Sequence, residues 1–264
     1  MESGIRLLTV DIGNTDLHLG LYDGDELRAS WRLSADLNRT VDDYGALLTL
    51  LFARDAVEPG SIDAAVVGSV VPPLLPRIER VVEDYVGVTP LVVRTGIRTG
   101  VRLVYDPPFE LGADRIAHAV AAERLYGTPA IVVDFGTATT FDAIGKDGAY
   151  VGGAIAPGLS IAAEALWHRT AQLSRIDLAF PDRAIARNTA EAVQSGLMFG
   201  HLGLTREMVA RFRQELDGNP IVIATGEAAL ELGRRIPEVS HIDTHLSLQG
   251  LRLIHELNAQ KSVA

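Results

Sequence analysis

The chain has 264 residues, of which 47% are hydrophobic and 22% are charged, so it can form one large domain or two domains of about 130 residues. The lack of cysteine excludes a disulfide framework, a thiolate metal site and a cysteine nucleophile. The net charge of −10 argues against a dedicated nucleic-acid-binding protein, which usually has a basic face. No apolar run approaches the roughly 18–20 residues of a membrane span. We therefore expect a cytoplasmic protein with no nucleic-acid or membrane partner.

The first third of the chain predicts three antiparallel strands followed by alternating helices and strands. Alternation of apolar and polar residues marks the strands, and turns at Gly13-Asn14 and Asp23-Gly24 separate the first three. Apolar residues at i, i+3, i+4, i+7 and i+8 predict the first helix. The expected order is therefore βββαβαβ. In chain order, the predicted strands are 5–10, 16–22, 26–33, 64–71 and 90–93, and the predicted helices are 44–52 and 73–85.

The second half repeats this design, since a three-strand meander again precedes alternating helices and strands. An internal duplication explains the repetition better than chance does. We expect two closely packed domains, 1–114 and 115–264, with a ligand site in the cleft between them. The predicted strands here are 130–134, 139–144, 149–154 and 221–224, and the predicted helices are 113–126, 158–169, 189–216, 228–235 and 248–258.

Both repeats carry an acidic residue at the end of a strand, followed by a glycine turn and a threonine. The two stretches are Asp11-Ile-Gly-Asn-Thr15 and Asp134-Phe-Gly-Thr137. Glycine lets a ligand approach the backbone, and the turn N–H groups can donate to phosphate oxygens together with the threonine hydroxyl. A carboxylate beside phosphate implies a bound cation. The paired turns thus predict a two-sided grip on a polyphosphate, although either turn alone is also typical of an ordinary hairpin.

Four motifs in this order resemble the type III pantothenate kinase family, within the acetate and sugar kinase, Hsp70 and actin superfamily. They are Asp11-Ile-Gly-Asn-Thr15, Gly112-Ala-Asp-Arg115, Asp134-Phe-Gly-Thr-Ala-Thr-Thr140 and Gly152-Gly-Ala-Ile-Ala-Pro-Gly158. The resemblance extends from about residue 7 to residue 257. It implies an α/β fold of two duplicated ribonuclease H-like (actin-like ATPase) domains with an interdomain cleft.

The resemblance also implies an activity, namely ATP-dependent phosphorylation of pantothenate to 4'-phosphopantothenate, the first step of coenzyme A biosynthesis. It further implies a homodimer, Mg²⁺ and a monovalent cation, K⁺ or NH₄⁺. Asp114 is the expected catalytic base, Asp134 the ligand of the monovalent cation and Thr137 a contact of ATP. The other expected ATP contacts are Asp11, Ile12, Gly13, Asn14, Thr15, Asp16, Leu17 and His18. The expected pantothenate-binding residues are Tyr105, Gly112, Ala113, Asp114, Arg115 and Thr189.

The role implied for Asp114 is chemically reasonable, because phosphoryl transfer depends on positioning and charge neutralisation more than on a strong base. The planar guanidinium of Arg115 suits a substrate carboxylate. The competing interpretation of this pair is a helix N-terminal acid followed by a surface arginine. Thr189 similarly fits a helix cap, and Tyr105 fits an aromatic residue at a strand end. His118 is expected to be packed or solvent-facing rather than catalytic.

The sequence departs from the family pattern on the expected nucleotide side and near the substrate. Glu227 follows Thr225-Gly226 where a second glycine is common, and Ala186-Arg187 replaces a frequent Gly-Lys. Gln172 and Ser174 also replace the usual residues. Two rival functions stay open at this point: a non-catalytic regulatory relative, and a kinase of the same superfamily that acts on another hydroxyl or carboxylate substrate.

Overall fold

The computed structural model of the protein describes residues 4–94, 96–170, 173 and 175–259. The strands within these residues are β1 Arg6–Ile12, β2 Asp16–Asp23, β3 Glu26–Ser34, β4 Ala64–Ser69, β5 Leu91–Val92, β6 Ala130–Phe135, β7 Ala138–Ile144, β8 Tyr150–Pro157, β9 Ile221–Thr225 and β10 His241–Ile242. The helices are α1 Val41–Arg54, α2 Leu75–Tyr85, α3 Ala113–Ala121, α4 Leu159–Arg169, α5 Thr189–Glu215, α6 Ala229–Gly233 and α7 Leu246–Ala259.

The described strands form two five-stranded sheets with equivalent topology. The first sheet has the order β3-β2-β1-β4-β5 and the second has the order β8-β7-β6-β9-β10. In each, a central strand pairs antiparallel with the next strand along the chain and parallel with a later strand. Every predicted strand is present, and the predicted duplication is visible as a repeated strand order. The two-residue strand β10 was not predicted.

The chain divides into two compact units. One comprises the chain up to Ala121 together with the segment that begins at Leu246, and the other comprises Ala122–His245. The sequence predicted a boundary between residues 114 and 115, before most of α3. In the structure α3 belongs to the first unit because it packs against α7. A π-helical turn, Ala122–Tyr126, begins the second unit, and the Gly127 N–H donates to the Ala122 carbonyl at 3.0 Å.

The first unit has helices on both faces of its sheet. The core on one face includes Val10, Tyr44, Phe52 and Ile78 from β1, α1 and α2. On the other face α3 and α7 approach each other so closely that a β-carbon on Gly250 would overlap the backbone of Ala117. This close approach depends on glycine, because any side chain there would separate the two helices.

The second unit buries one face of its sheet beneath α5 and α6. Val133 and Phe135 of β6 and Phe141 of β7 pack with Met198 and Val209 of α5. Apolar side chains at alternate positions of a strand point to the same face, so Asp134, between Val133 and Phe135, lies on the opposite face. No helix in the described part of the chain is both long and apolar enough to cross a membrane.

Candidate active site

The first acidic turn lies between β1 and β2. Asp11 is the penultimate residue of β1, where it pairs with His18 of β2 and Gly68 of β4. Ile12 and Leu17 are the last paired residues, and the N–H of Gly13 donates to the carbonyl of Asp16 at 2.9 Å. Asn14 and Thr15 at the tip are exposed, as the predicted contact with a ligand requires.

The same unit brings the start of α3 close to this turn. Gly68, the β4 neighbour of Asp11, has no side chain, and a β-carbon there would lie 3.4 Å from the Ala113 β-carbon. Paired residues of adjacent strands point to one face of a sheet. Asp11 therefore lies on the face that carries α3, and Asp114 lies in the first turn of that helix.

The carboxylate of Asp114 folds back over Gly112. A β-carbon on Gly112 would overlap Asp114 Oδ1 and would lie 3.0 Å from Val70 Cγ1, so only glycine permits this arrangement. Asp114 Oδ1 accepts a hydrogen bond from the Arg115 N–H at 2.7 Å. The helix N-terminus and this bond both favour the ionised carboxylate. Asp114 is thus a fixed, half-buried anion.

Two further residues of α3, Arg115 and His118, are both buried. Arg115 is only 6% exposed, so the surface-arginine interpretation is wrong for this residue. His118 is 2% exposed and lies within the packed face of α3, which is the packed state expected for it. Neither observation assigns a chemical role.

The second acidic turn lies between β6 and β7 and is shorter. Asp134 pairs with Thr140 of β7 and Thr225 of β9, and Phe135 and Thr139 are the last paired residues. The N–H of Gly136 donates to the Ala138 carbonyl at 3.2 Å. Only three residues, 136–138, connect the paired ends here, compared with four in the first hairpin.

Two distant glycines enclose this second turn. A β-carbon on Gly226 would overlap Asp134 Oδ1 and lie 2.8 Å from the Phe135 nitrogen, and Gly226 has a φ of +91°. A β-carbon on Gly158 would overlap the carbonyl oxygens of Gly136 and Thr137. Both glycines therefore allow backbone to pack directly on the turn.

Asp134 does not belong to a larger cluster of acidic or histidine side chains in the part of the chain that the structure describes. No group of three or more His, Asp or Glu side chains suitable for a metal lies among the described residues. Asp134 is half-buried beside the Thr140 and Thr225 side-chain positions and the backbone of Gly226. A large cluster of protein ligands is not required where substrate phosphates and water complete the coordination of a metal ion.

The remaining predicted substrate residues lie in different units. Tyr105 is half-buried in the segment before α3, in the first unit. Thr189 is the exposed first residue of α5, in the second unit, and Asn188 rather than Thr189 caps that helix by accepting from the Glu191 N–H at 2.9 Å. Arg187 is exposed just before this cap. Gln172 and Ser174 lie outside the described residues.

A cavity of about 260 Å³ opens beside the second turn. Phe135, Gly136 and Thr139 line it at the turn, and Glu227 and Glu231 line another wall. Its lining also includes His201 of α5, a residue that no motif marked and that sequence reasoning missed. His201 Nε2 lies 2.8 Å from Thr139 Oγ1, and burial lowers the pKa of His201. Burial therefore favours the neutral form of this imidazole.

The two equivalent sheets define a fold class, the α/β fold of two duplicated ribonuclease H-like (actin-like) domains. An activator of 2-hydroxyisocaproyl-CoA dehydratase from Clostridium difficile, solved with bound ADPNP, shares this fold. It matches with a TM-score of 0.55 at 11% identity and covers 98% of both chains. This likeness confirms the predicted fold class.

Residues 7–211 match the family described as type III pantothenate kinase. The chain is 46% identical over 254 residues to a type III pantothenate kinase of Geobacter sulfurreducens, covering 96% of this chain and all of the relative. It is 45% identical over 252 residues to a type III pantothenate kinase of Pelobacter propionicus, covering 96% and 99%. The protein belongs to the type III pantothenate kinase family. Membership of a kinase family implies ATP and a divalent metal in general terms.

Proposed function

We propose that this protein transfers the γ-phosphoryl group of ATP to the primary hydroxyl of pantothenate, the first step of coenzyme A biosynthesis. The observation that carries this proposal is the Asp114 carboxylate, fixed over Gly112 at the start of α3, in a chain related to named type III pantothenate kinases over 96% of its length. A carboxylate at this position can act on a hydroxyl group that is brought to the end of β1 and β4.

Asp114 is the proposed catalytic base. As the pantothenate oxygen forms its bond to the γ-phosphorus, the bond from phosphorus to the bridging oxygen of ADP breaks, and the hydroxyl proton passes to Asp114. An ordinary aspartate is sufficient because the transition state is loose and the alcohol becomes acidic only as attack proceeds. Gly112, Ala113, Arg115, Tyr105 and Thr189 are the proposed pantothenate-binding residues.

The two acidic turns are the proposed contacts of the ATP phosphates. In the first turn the exposed backbone of Asn14 and Thr15 can donate to phosphate oxygens, as can the Thr15 hydroxyl. In the second turn we assign this role to Thr137. A divalent cation at the phosphates would neutralise charge that develops during transfer, and Asp11 is the carboxylate of the more open turn that suits it.

Asp134 is the proposed ligand of a monovalent cation, K⁺ or NH₄⁺. The turn that carries it is enclosed, because Gly226 packs on the Asp134 carboxylate and Gly158 packs on the carbonyl oxygens of Gly136 and Thr137. Carbonyl oxygens with little net charge suit a weakly hydrated monovalent ion better than Mg²⁺, which retains its waters. The difference in enclosure between the turns supports the assignment of different cations to Asp11 and Asp134.

A homodimer is proposed for the assembly. The edge strand β8 exposes Val151 and Ile155, and the helix that follows exposes Ile161 and Trp167. Apolar side chains on an unpaired edge strand favour association with another protein surface. A second copy of the chain is the proposed partner.

The proposed reaction is tested by coupled ATP-consumption assays with pantothenate, with and without K⁺ or NH₄⁺. We expect pantothenate-dependent turnover, and we expect Asp114→Asn to lower kcat by about 10²–10⁴-fold because it removes the base without changing shape. The matched control is Glu110→Gln, which removes an exposed acidic group four residues earlier.

Three outcomes are informative. No turnover with pantothenate or with any other hydroxyl or carboxylate substrate, under any cation, would contradict the proposal and leave the regulatory relative as the better interpretation. Turnover with another hydroxyl or carboxylate substrate but not with pantothenate would favour the other superfamily kinase. Normal turnover by Asp114→Asn would keep the reaction but reject the assigned base.

A further inference from the structure

The cavity beside the second turn has the features of a nucleoside site. Its lining includes the apolar side chains of Met198 from α5 and Leu232 from α6, and the imidazole of His201 is held there by Thr139. Two glutamates line the wall nearer to solvent, Glu227 and Glu231. The volume of about 260 Å³ is slightly below the range of roughly 300–1,000 Å³ that encloses drug-sized ligands, so it suits part of a nucleotide.

The position of the cavity relative to the second turn determines how a nucleotide would be oriented there. Phe135 and Gly136 line the cavity, whereas Asp134 lies on the other face of the sheet. A ligand whose phosphates contact the turn N–H groups would therefore place its next group, the ribose, at the cavity mouth and its base further in. Glu227 directly follows Gly226, which packs on Asp134, so it stands on the turn side of the mouth. Glu231 lies four residues further along the chain, within α6.

Glu227 and Glu231 are acidic residues beside a turn that is proposed to bind phosphate. A carboxylate near phosphate is unfavourable unless donors or cations accompany it. An ionised carboxylate only accepts hydrogen bonds, and its two oxygens match the two hydroxyl groups of a ribose. Acidic residues perform this function in other nucleotide sites, where they accept from the ribose hydroxyl. No ion pair occupies Glu227 or Glu231 among the side chains that the structure describes.

We propose that Glu227 is a specificity-determining residue that accepts hydrogen bonds from the ribose hydroxyls of the phosphoryl donor, so that this kinase selects ribonucleotides over deoxyribonucleotides. This inference depends on the proposed function, since it assigns the nucleotide side of the same reaction. It gives a role to a residue at which the sequence departs from the glycine common in the family.

The test compares ATP with 2'-deoxy-ATP and 3'-deoxy-ATP. We expect wild-type protein to favour ATP in kcat/KM, and Glu227→Gln to reduce the ratio of ATP to deoxy-ATP by about tenfold, the size of one charge-assisted hydrogen bond. Calorimetric titration of ATP and 2'-deoxy-ATP without pantothenate supplies a readout independent of turnover and should show the same loss of preference. Glu231→Gln tests the second carboxylate and should lower the ratio less.

Glu215→Gln is the matched control, since it removes an exposed glutamate at the end of α5 that does not line the cavity. If the ratio of kcat/KM for ATP to that for deoxy-ATP is unchanged in Glu227→Gln, the inference is overturned. If the same variant also requires more Mg²⁺, Glu227 is a cation ligand instead. If wild-type protein neither binds nor consumes ATP, the proposed function itself fails. Turnover with an unchanged ratio rejects the specificity role alone.

Discussion

The two acidic hairpins share one topology but differ in how their turns are closed. In the first, four residues connect the paired ends, and the tip residues Asn14 and Thr15 are exposed. In the second, three residues connect the paired ends, and Gly158 and Gly226 pack on the turn. The duplication therefore preserved the strand framework while the segments around each turn diverged.

This difference shows why equal motifs need not have equal functions. An open turn leaves its N–H groups and carboxylate accessible to an exchanging ligand such as a metal–phosphate complex. An enclosed turn leaves less room for water around its carboxylate, which favours a weakly hydrated ion. The separate roles proposed for Asp11 and Asp134 follow from these surroundings rather than from the motif itself.

The enclosed turn should be the more sensitive of the two. Gly226→Ala places a β-carbon where Asp134 Oδ1 lies and forces an unfavourable φ of +91° on alanine. We expect the free energy of unfolding to fall by more than about 2 kcal/mol, and kcat/KM to fall about 100-fold as the carboxylate is displaced. Urea denaturation and the coupled assay measure the two effects.

Gly127→Ala is the control for backbone strain alone, because Gly127 has a φ of +93° with nothing near its β-carbon position. It should lose about 1 kcal/mol in stability and keep its activity. If Gly127→Ala and Gly226→Ala lose the same stability and the same activity, strain rather than enclosure explains the loss.

The open turn should tolerate the same substitution better. A β-carbon on Gly13 would lie 3.1 Å from the Asp16 carbonyl oxygen, a contact that a small shift relieves. We expect Gly13→Ala to lower the free energy of unfolding by less than about 1 kcal/mol, and to raise the KM for ATP several-fold because the methyl group stands where phosphate approaches.

Gly60→Ala, at an exposed glycine with open space, is the control for this substitution. It should change neither stability nor KM. A stability loss in Gly13→Ala as large as that in Gly226→Ala would remove the distinction between an open and an enclosed turn.

Local patterns predicted most of the fold. The β1–β2 and β6–β7 hairpins were predicted because alternation and glycine turns are encoded within a few residues. Strand β10 was missed, since His241 and Ile242 carry no pattern and become a strand only by pairing with β9. The return of α7 to the first unit was missed as well, because it depends on the contact of Gly250 with Ala117 across the chain.

The candidate site was predictable to a similar extent. The Asp114 and Asp134 motifs were visible in the sequence, but the sequence could not show that Gly112 accommodates the Asp114 carboxylate or that Gly226 covers Asp134. These are distances between segments far apart in the chain, with no periodic signal. His201 was missed for the same reason. It is one polar residue in a long helix, and only its contact with Thr139 in the folded protein places it at the cavity.

The smallest expected effect compares the stability of the two units against pH. Burial lowers the pKa of His255 in the first unit and of His201 in the second. The unfolded chain takes up a proton near the ordinary pKa of 6.5, whereas the buried rings resist protonation until lower pH, so stability should fall as pH decreases below about 6.5.

Hydrogen exchange at pH 7.5 and 5.5, followed by mass spectrometry, measures protection in each unit separately. His201→Gln should reduce the pH-dependent loss in α5 and leave that in α7, and His255→Gln should do the reverse. If either substitution changed the pH-dependent loss of protection equally in both helices, the two units would unfold as one.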